Sequence, residues 1–205
     1  MESDNTALIL IGFQNEYFSP QGTLYGLLMG ASQVLANTVD LVERLRSTSL
    51  LIVDTPVIFT PDYSELVEPT GILKAIKELG AFKAGTRGSE TLREVQRFGE
   101  RIVEIPGKRG LNAFSNTDLD DLFKRRGITT VALAGVKTSL CIDSTGRSAY
   151  EKGYKVSILS DCTAGTDDFE HKFYCEKIFP LYADVLDHER FLERLDVKHD
   201  SVGQQ

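Results

Sequence analysis

Cysteine is scarce: only Cys141, Cys162 and Cys175 occur, an odd number with no C-x-x-C pair. That excludes a disulfide framework and favours a reducing, cytoplasmic setting. Basic charge is also short, with 23 Lys and Arg against 30 Asp and Glu and a formal net charge of −7. Neutralising phosphates needs a basic face, so no nucleic-acid partner and no anionic membrane surface is expected, although a local basic pocket is left open. No apolar run approaches the roughly 20 residues that span a bilayer. The opening Met-Glu-Ser-Asp-Asn lacks the positive region of a secretory signal. Repeats, low-complexity tracts and convincing linkers are missing too.

What is present is ordinary globular composition over 205 residues. At about 150 residues per domain that means a single domain, residues 1–205. Such a chain buries roughly 70% of its extended surface and needs no metal to build a core. Thr6–Phe13 (TALILIGF) is apolar on both parities, as in a strand covered on both faces of a parallel sheet. Asn15–Gly30 reads as a loop and Ala31–Arg46 as an amphipathic helix. Pro56–Thr60 (PVIFT) is expected as the second strand. A short helix over Ile72–Leu79 and a glycine-containing loop follow, then a third strand at Arg101–Ile105. Leu119–Arg126 predicts a helix closed by Gly127, and Thr129–Ala134 the fourth strand. A helix over Ser139–Lys152, a fifth strand at Lys155–Leu159, a long helix over Phe169–Tyr182 and an edge strand starting at Val185 complete the series. The tail after Val197 is expected to fray.

This alternation predicts a three-layer α/β/α fold around a doubly wound, six-stranded, mostly parallel sheet. Ligands in such sheets bind beyond the carboxyl ends of the strands. Cys141 falls there, in the first turn after the fourth strand, where backbone N–H groups and a nearby Lys108 would favour a thiolate. Position alone leaves two readings open, a nucleophile or a small buried hydrophobe. The stretch 135–141 suits an anion-binding nest and equally an ordinary strand-to-helix loop capped by Thr138 or Ser139. Cys162 and Cys175 read as packing residues, and His171 as a surface-helix histidine.

Several motifs resemble the isochorismatase-like cysteine hydrolase superfamily. ALILIGFQNEYF is similar to its first strand, A-L-L-V-I-D-x-Q-N-D-F. GTRGSE, PGKRGLNAFSNTDLDDLF, GITTVALAGVKTSLCIDSTGRSAYEKGYKVSILSDCTAG and the pair Glu170-His171 match later blocks in order and spacing. The resemblance implies hydrolysis of a small amide or related small molecule, with no cofactor and with assembly as a homodimer or homotetramer. Phe13–Met29, a loop-like stretch rich in apolar and aromatic residues, suits that contact. The resemblance places Cys141 as nucleophile, Lys108 as the catalytic lysine and a non-proline cis peptide at Val136–Lys137. It gives the oxyanion to the N–H groups of Lys137 and Cys141, and the substrate to Phe13, Gln14, Phe114 and Val136.

Two departures stand out. The family aspartate that carries the proton falls on Gly12, which carries none. Impaired activity is expected, since such groups are worth about 10²–10⁴-fold. A silent binding or regulatory protein, a substitute acid such as Glu16, or chemistry using Cys141 and Lys108 alone would each accommodate this. On the sequence alone, Gly12→Asp is expected to raise turnover. Secondly, metal-binding relatives use Asp-x-His and a later His, whereas Asp62-Tyr63-Ser64 has no histidine. The chain's His171, His188 and His199 all fall in its last quarter. No metal is expected, which argues against nicotinamide as substrate.

Overall fold

The computed structural model describes residues 2–195. Its sheet has six strands: β1 (Thr6–Ile11), β2 (Leu51–Thr55), β3 (Ile102–Glu104), β4 (Thr130–Val136), β5 (Lys155–Ala164) and β6 (Asp184–Leu186). They are ordered β3-β2-β1-β4-β5-β6, and every pairing is parallel. The sheet is therefore wholly rather than mostly parallel. β1 and β4 are buried along their whole length, which explains their lack of polar alternation. Winding runs outward from β1 to β3 and then from β4 to β6. The reversal lies between β1 and β4, the place where such sheets open a crevice.

Helices cover both faces. α1 (Asn15–Phe18), α2 (Ala31–Arg44) and α3 (Gly71–Leu79) precede the short α4 (Arg93–Gln96). α5 (Leu119–Arg125), α6 (Asp143–Glu151), α7 (Asp168–Phe173) and α8 (His188–Arg194) follow. Val34, Leu41 and Val42 of α2 and Phe191 and Leu192 of α8 pack on Leu8 and Leu10. Leu119 and Phe123 of α5 and Ala149 of α6 pack on Ala7, Ile9 and Ile11 from the other side. Alternate residues of β1 thus feed two cores, which makes the three layers.

Three expectations are corrected. The second strand is LIVDT, not PVIFT. Asp54 inside LIVDT looks like a strand breaker, yet it is buried in register with Leu10. Pro56 then ends the ladder, and Phe59 pairs instead with the 82–84 segment through Phe59 N–Phe82 O and Ala84 N–Phe59 O bonds of 2.8 Å. The long helix expected over Phe169–Tyr182 is broken: α7 passes into a π turn (Tyr174–Ile178) and a 3₁₀ turn (Phe179–Leu181) holding Pro180. The Asn15–Gly30 loop contains α1, and α4 and α8 are additional to the expected elements. The expected frayed tail and His199 lie outside the described residues. Among the described residues, no helix is long and apolar enough to cross a membrane.

Candidate active site

Two glycines let β1 and β4 end against each other. Gly135 of β4 has φ +132°, and a Cβ there would strike the backbone of Ile11. Gly12, just past β1, has φ +73°, and a Cβ there would lie 2.8 Å from the carbonyl oxygen of Val136. The Val136–Lys137 peptide that follows is cis. The chain then turns through a π turn (Thr138–Ile142) into α6, with Lys137 O accepting from Leu140 N at 3.1 Å and Ile142 N at 3.2 Å. Cys141 sits in this turn and is 6% exposed.

Lys108 reaches the same place from the loop after β3. It is 0% exposed, and its Nζ donates to Gly110 O at 2.6 Å and lies 3.6 Å from Cys141 Sγ. Among the described residues no carboxylate forms an ion pair with it. Burial lowers its pKa from the usual lysine value, and the charge of Cys141 acts in the opposite direction. The structure thus brings Gly12 and Lys108, from distant parts of the chain, to the segment that holds Val136, Lys137 and Cys141.

The turn is held from outside by α7. Lys137 Nζ pairs with Glu170 Oε2 at 3.1 Å, and Thr138 Oγ1 lies 3.2 Å from His171 Nδ1. Burial would raise the Glu170 pKa, but hydrogen bonds from Ser139, Thr166 and Lys137 prevail and bring it down to about 2. His171 is half-buried and braces the turn; it is not a free surface histidine. Burial lowers its pKa.

The other residues expected at the substrate are placed differently. Gln14 is buried, and its side chain is spent on backbone: Nε2 donates to Val57 O at 2.8 Å and Ser89 O at 2.7 Å, and Oε1 accepts from Val57 N at 2.9 Å. It clamps the GTRGSE segment to the end of β1 and has no polar atom left for a ligand. Phe13 is stacked on Phe18 at 5.7 Å within one core, and Phe114 on Tyr154 at 5.9 Å within the other. Val136 is fully buried. Glu16, the substitute acid considered above, accepts from Thr23 N at 2.8 Å and from the Thr23 hydroxyl. Tyr17 was not foreseen. Its buried ring packs on Phe82, and burial, with the nearby charges of Cys141 and Glu16, pushes its phenol pKa up. The only sequence signal was a hydroxyl where the motif quoted above has Phe.

The metal set of some relatives does not fit. Asp62 accepts from Thr60 Oγ1 at 3.0 Å and Ser64 N at 3.1 Å, and Tyr63 is buried with its hydroxyl on Ala81 O. Asp161, Cys162 and His188 bring three ligand-type atoms within 4.8 Å of one another. They lie beside α2 and α8, and Cys162 packs in the core opposite that of Cys141. Their atoms are already engaged, His188 Nδ1 lying 2.5 Å from Asp161 Oδ2.

A model of the Isochorismatase domain matches residues 6–190. The chain belongs to the isochorismatase family. One relative, the uncharacterized isochorismatase family protein YwoC of Bacillus subtilis, is 38% identical over 88 residues, 43% of this chain and 47% of that one. The chain thus matches about half the length of that relative. Nicotinamidase 3 of Arabidopsis thaliana is 28% identical over 166 residues, covering 81% of this isochorismatase-family chain and 76% of the plant protein. Among solved structures, a cysteine hydrolase from Pseudomonas syringae pv. phaseolicola superposes with a TM-score of 0.83 at 20% identity, over 96% of this chain and 94% of that one. That likeness establishes a shared fold.

Proposed function

We propose that this isochorismatase-family chain is a cysteine hydrolase of small amides, with Cys141 as nucleophile. The observation that carries the reading is the 3.6 Å contact between Lys108 Nζ and Cys141 Sγ at the β1/β4 crevice. An ammonium at that distance stabilises negative charge on sulfur. The thiolate attacks the amide carbon, and the developing oxyanion is received by the backbone N–H groups of Lys137 and Cys141. Cys141 is nearly covered, which favours a small acyl group at sulfur. The nicotinamidase name of the plant relative supports an amide as substrate class. Nicotinamide itself is disfavoured, because the Asp62–Ser64 segment does not offer the metal set expected to hold it.

The test is ammonia release from a panel of small primary amides and N-carbamoyl compounds. Release that is lost on Cys141→Ser supports the reading; release that survives the substitution overturns it. Gly12 favours one second reading, a silent binding protein on the same fold. Tight binding of panel members without any release would select it.

A further inference from the structure

We propose that Lys108 is both the acid and the base of this site, so that a Cys141–Lys108 pair performs proton transfers for which Gly12 offers no group. The inference rests on the cysteine-hydrolase reading above and goes beyond it by assigning the proton's path.

Three observations lead there. At residue 12 there is no side chain, and the Val136 carbonyl stands where one would begin. Glu16 is committed to Thr23. Lys108 is a fully buried amine whose close polar partners, among the described residues, are Gly110 O and Cys141 Sγ. A lysine held next to a carboxylate stays charged through the whole reaction. One without a carboxylate, in a dry site, loses and regains its proton readily, and buried lysines serve as general bases for this reason. The neighbouring charges do not interfere. Arg109 is paired with Glu65, and Lys137 with Glu170. The Tyr17 phenol, near Cys141, is held protonated by burial. The lowered pKa of Lys108 agrees with this arrangement.

The steps balance as follows. The Cys141 thiol gives its proton to Lys108 Nζ, and the thiolate forms a C–S bond to the amide carbon while the carbonyl electron pair moves to oxygen. The intermediate collapses: the C–N bond breaks, and the Lys108 ammonium supplies the proton that the departing amine needs. The thioester then faces a neutral lysine, because sulfur no longer carries charge to hold the proton on nitrogen. Lys108 takes a proton from water, hydroxide adds to the thioester, and the C–S bond breaks. The carboxylic acid leaves, and the thiolate–ammonium pair is restored.

The probe is p-nitrophenyl acetate, whose leaving group needs no proton, so that acylation and deacylation separate. The wild-type protein is expected to release a burst of nitrophenolate and then turn over. Its deacylation rate should rise with pH and level off below the ordinary lysine value of 10.5. Lys108→Arg keeps the positive charge but cannot shed its proton. It should retain the burst, deacylate about 10²-fold or more slowly, and accumulate acetyl-Cys141 by intact mass. Deacylation of Lys108→Arg at the wild-type rate, or a wild-type rate that climbs in proportion to hydroxide without levelling, overturns the proposal. Circular dichroism checks the folding of the variant; should it fail to fold, the wild-type pH profile decides by itself. A wild-type protein whose Cys141 is never acetylated overturns the underlying cysteine-hydrolase reading instead, an outcome distinct from the other two.

Discussion

Gly12 and Val136 face each other across the ends of β1 and β4, so closely that a Cβ on residue 12 would lie 2.8 Å from the Val136 carbonyl oxygen. Residue 12 also adopts φ +73°, a conformation that side chains disfavour. Restoring an aspartate is therefore a structural insult as well as a chemical gift. Gly12→Ala and Gly12→Asp should each lose about 1–2 kcal/mol or more of unfolding free energy in denaturant titrations. Gly12→Asp should not raise amide turnover, contrary to the expectation from sequence. An aspartate variant as stable as wild type and faster would show that the crevice opens freely.

The three thiols should label unequally. Burial pushes the Cys162 pKa far up, and burial with Glu176 pushes that of Cys175 up to about 11. Cys141 alone has an ammonium at its sulfur. Iodoacetamide near neutral pH, followed by peptide mass mapping, should modify Cys141 first. Equal labelling of all three would remove the case for a primed nucleophile.

Acid should loosen the turn that carries Cys141. Glu170 is lowered from 4.5 to about 2, so its contribution to stability is present above about 4.5 and disappears as pH falls toward 2. In Glu170→Gln that part of the acid limb should flatten. Thermal melts at stepped pH would show this; an unchanged slope would mean that the Lys137–Glu170 pair is energetically silent.

Asp54 should act in the opposite sense. Burial raises its pKa from 3.8 to about 7, and Oδ1 has no hydrogen-bond partner. A raised carboxyl pKa gives stability that is present below 3.8 and is lost as pH rises to about 7. Asp54→Asn keeps an acceptor for the Thr91 hydroxyl, which donates at 2.7 Å. Its melting temperature should exceed that of wild type above pH 7, and the advantage should vanish near pH 4. A variant with no advantage over wild type above pH 7 would show that burying the Asp54 charge costs the fold nothing.

For assembly we propose a homodimer or homotetramer. Tyr25 and Met29 are 55% and 51% exposed, and Leu27 stands between them. Light scattering should give a mass above 22.8 kDa, and the paired change Leu27→Glu, Met29→Glu should return the monomer. A wild-type monomer at micromolar concentration would overturn this.

Local pattern determined much of the protein. β1 and β4 are runs with apolar residues on both parities, and only a strand covered on both faces sustains that. α2 and α5 show their buried stripes, and the spacing of the Lys108 and Cys141 motifs is legible as a resemblance. Other features were decided by tertiary structure, because periodicity reports burial and not what a side chain meets. Asp54 interrupts LIVDT on paper, and only the enclosing layers make it an interior residue that is neutral over part of the pH range. Gln14 looks available for a ligand until the chain returns with Val57 and Ser89 to occupy its amide. Gly12 reads as a missing carboxylate; only the structure shows the left-handed backbone and the Val136 carbonyl that stand against a side chain there. Lys108 and Cys141 lie 33 positions apart, and their contact exists because the loop after the edge strand β3 returns past the end of β2, where Lys108 O accepts from Ile58 N at 3.3 Å, to the turn after β4.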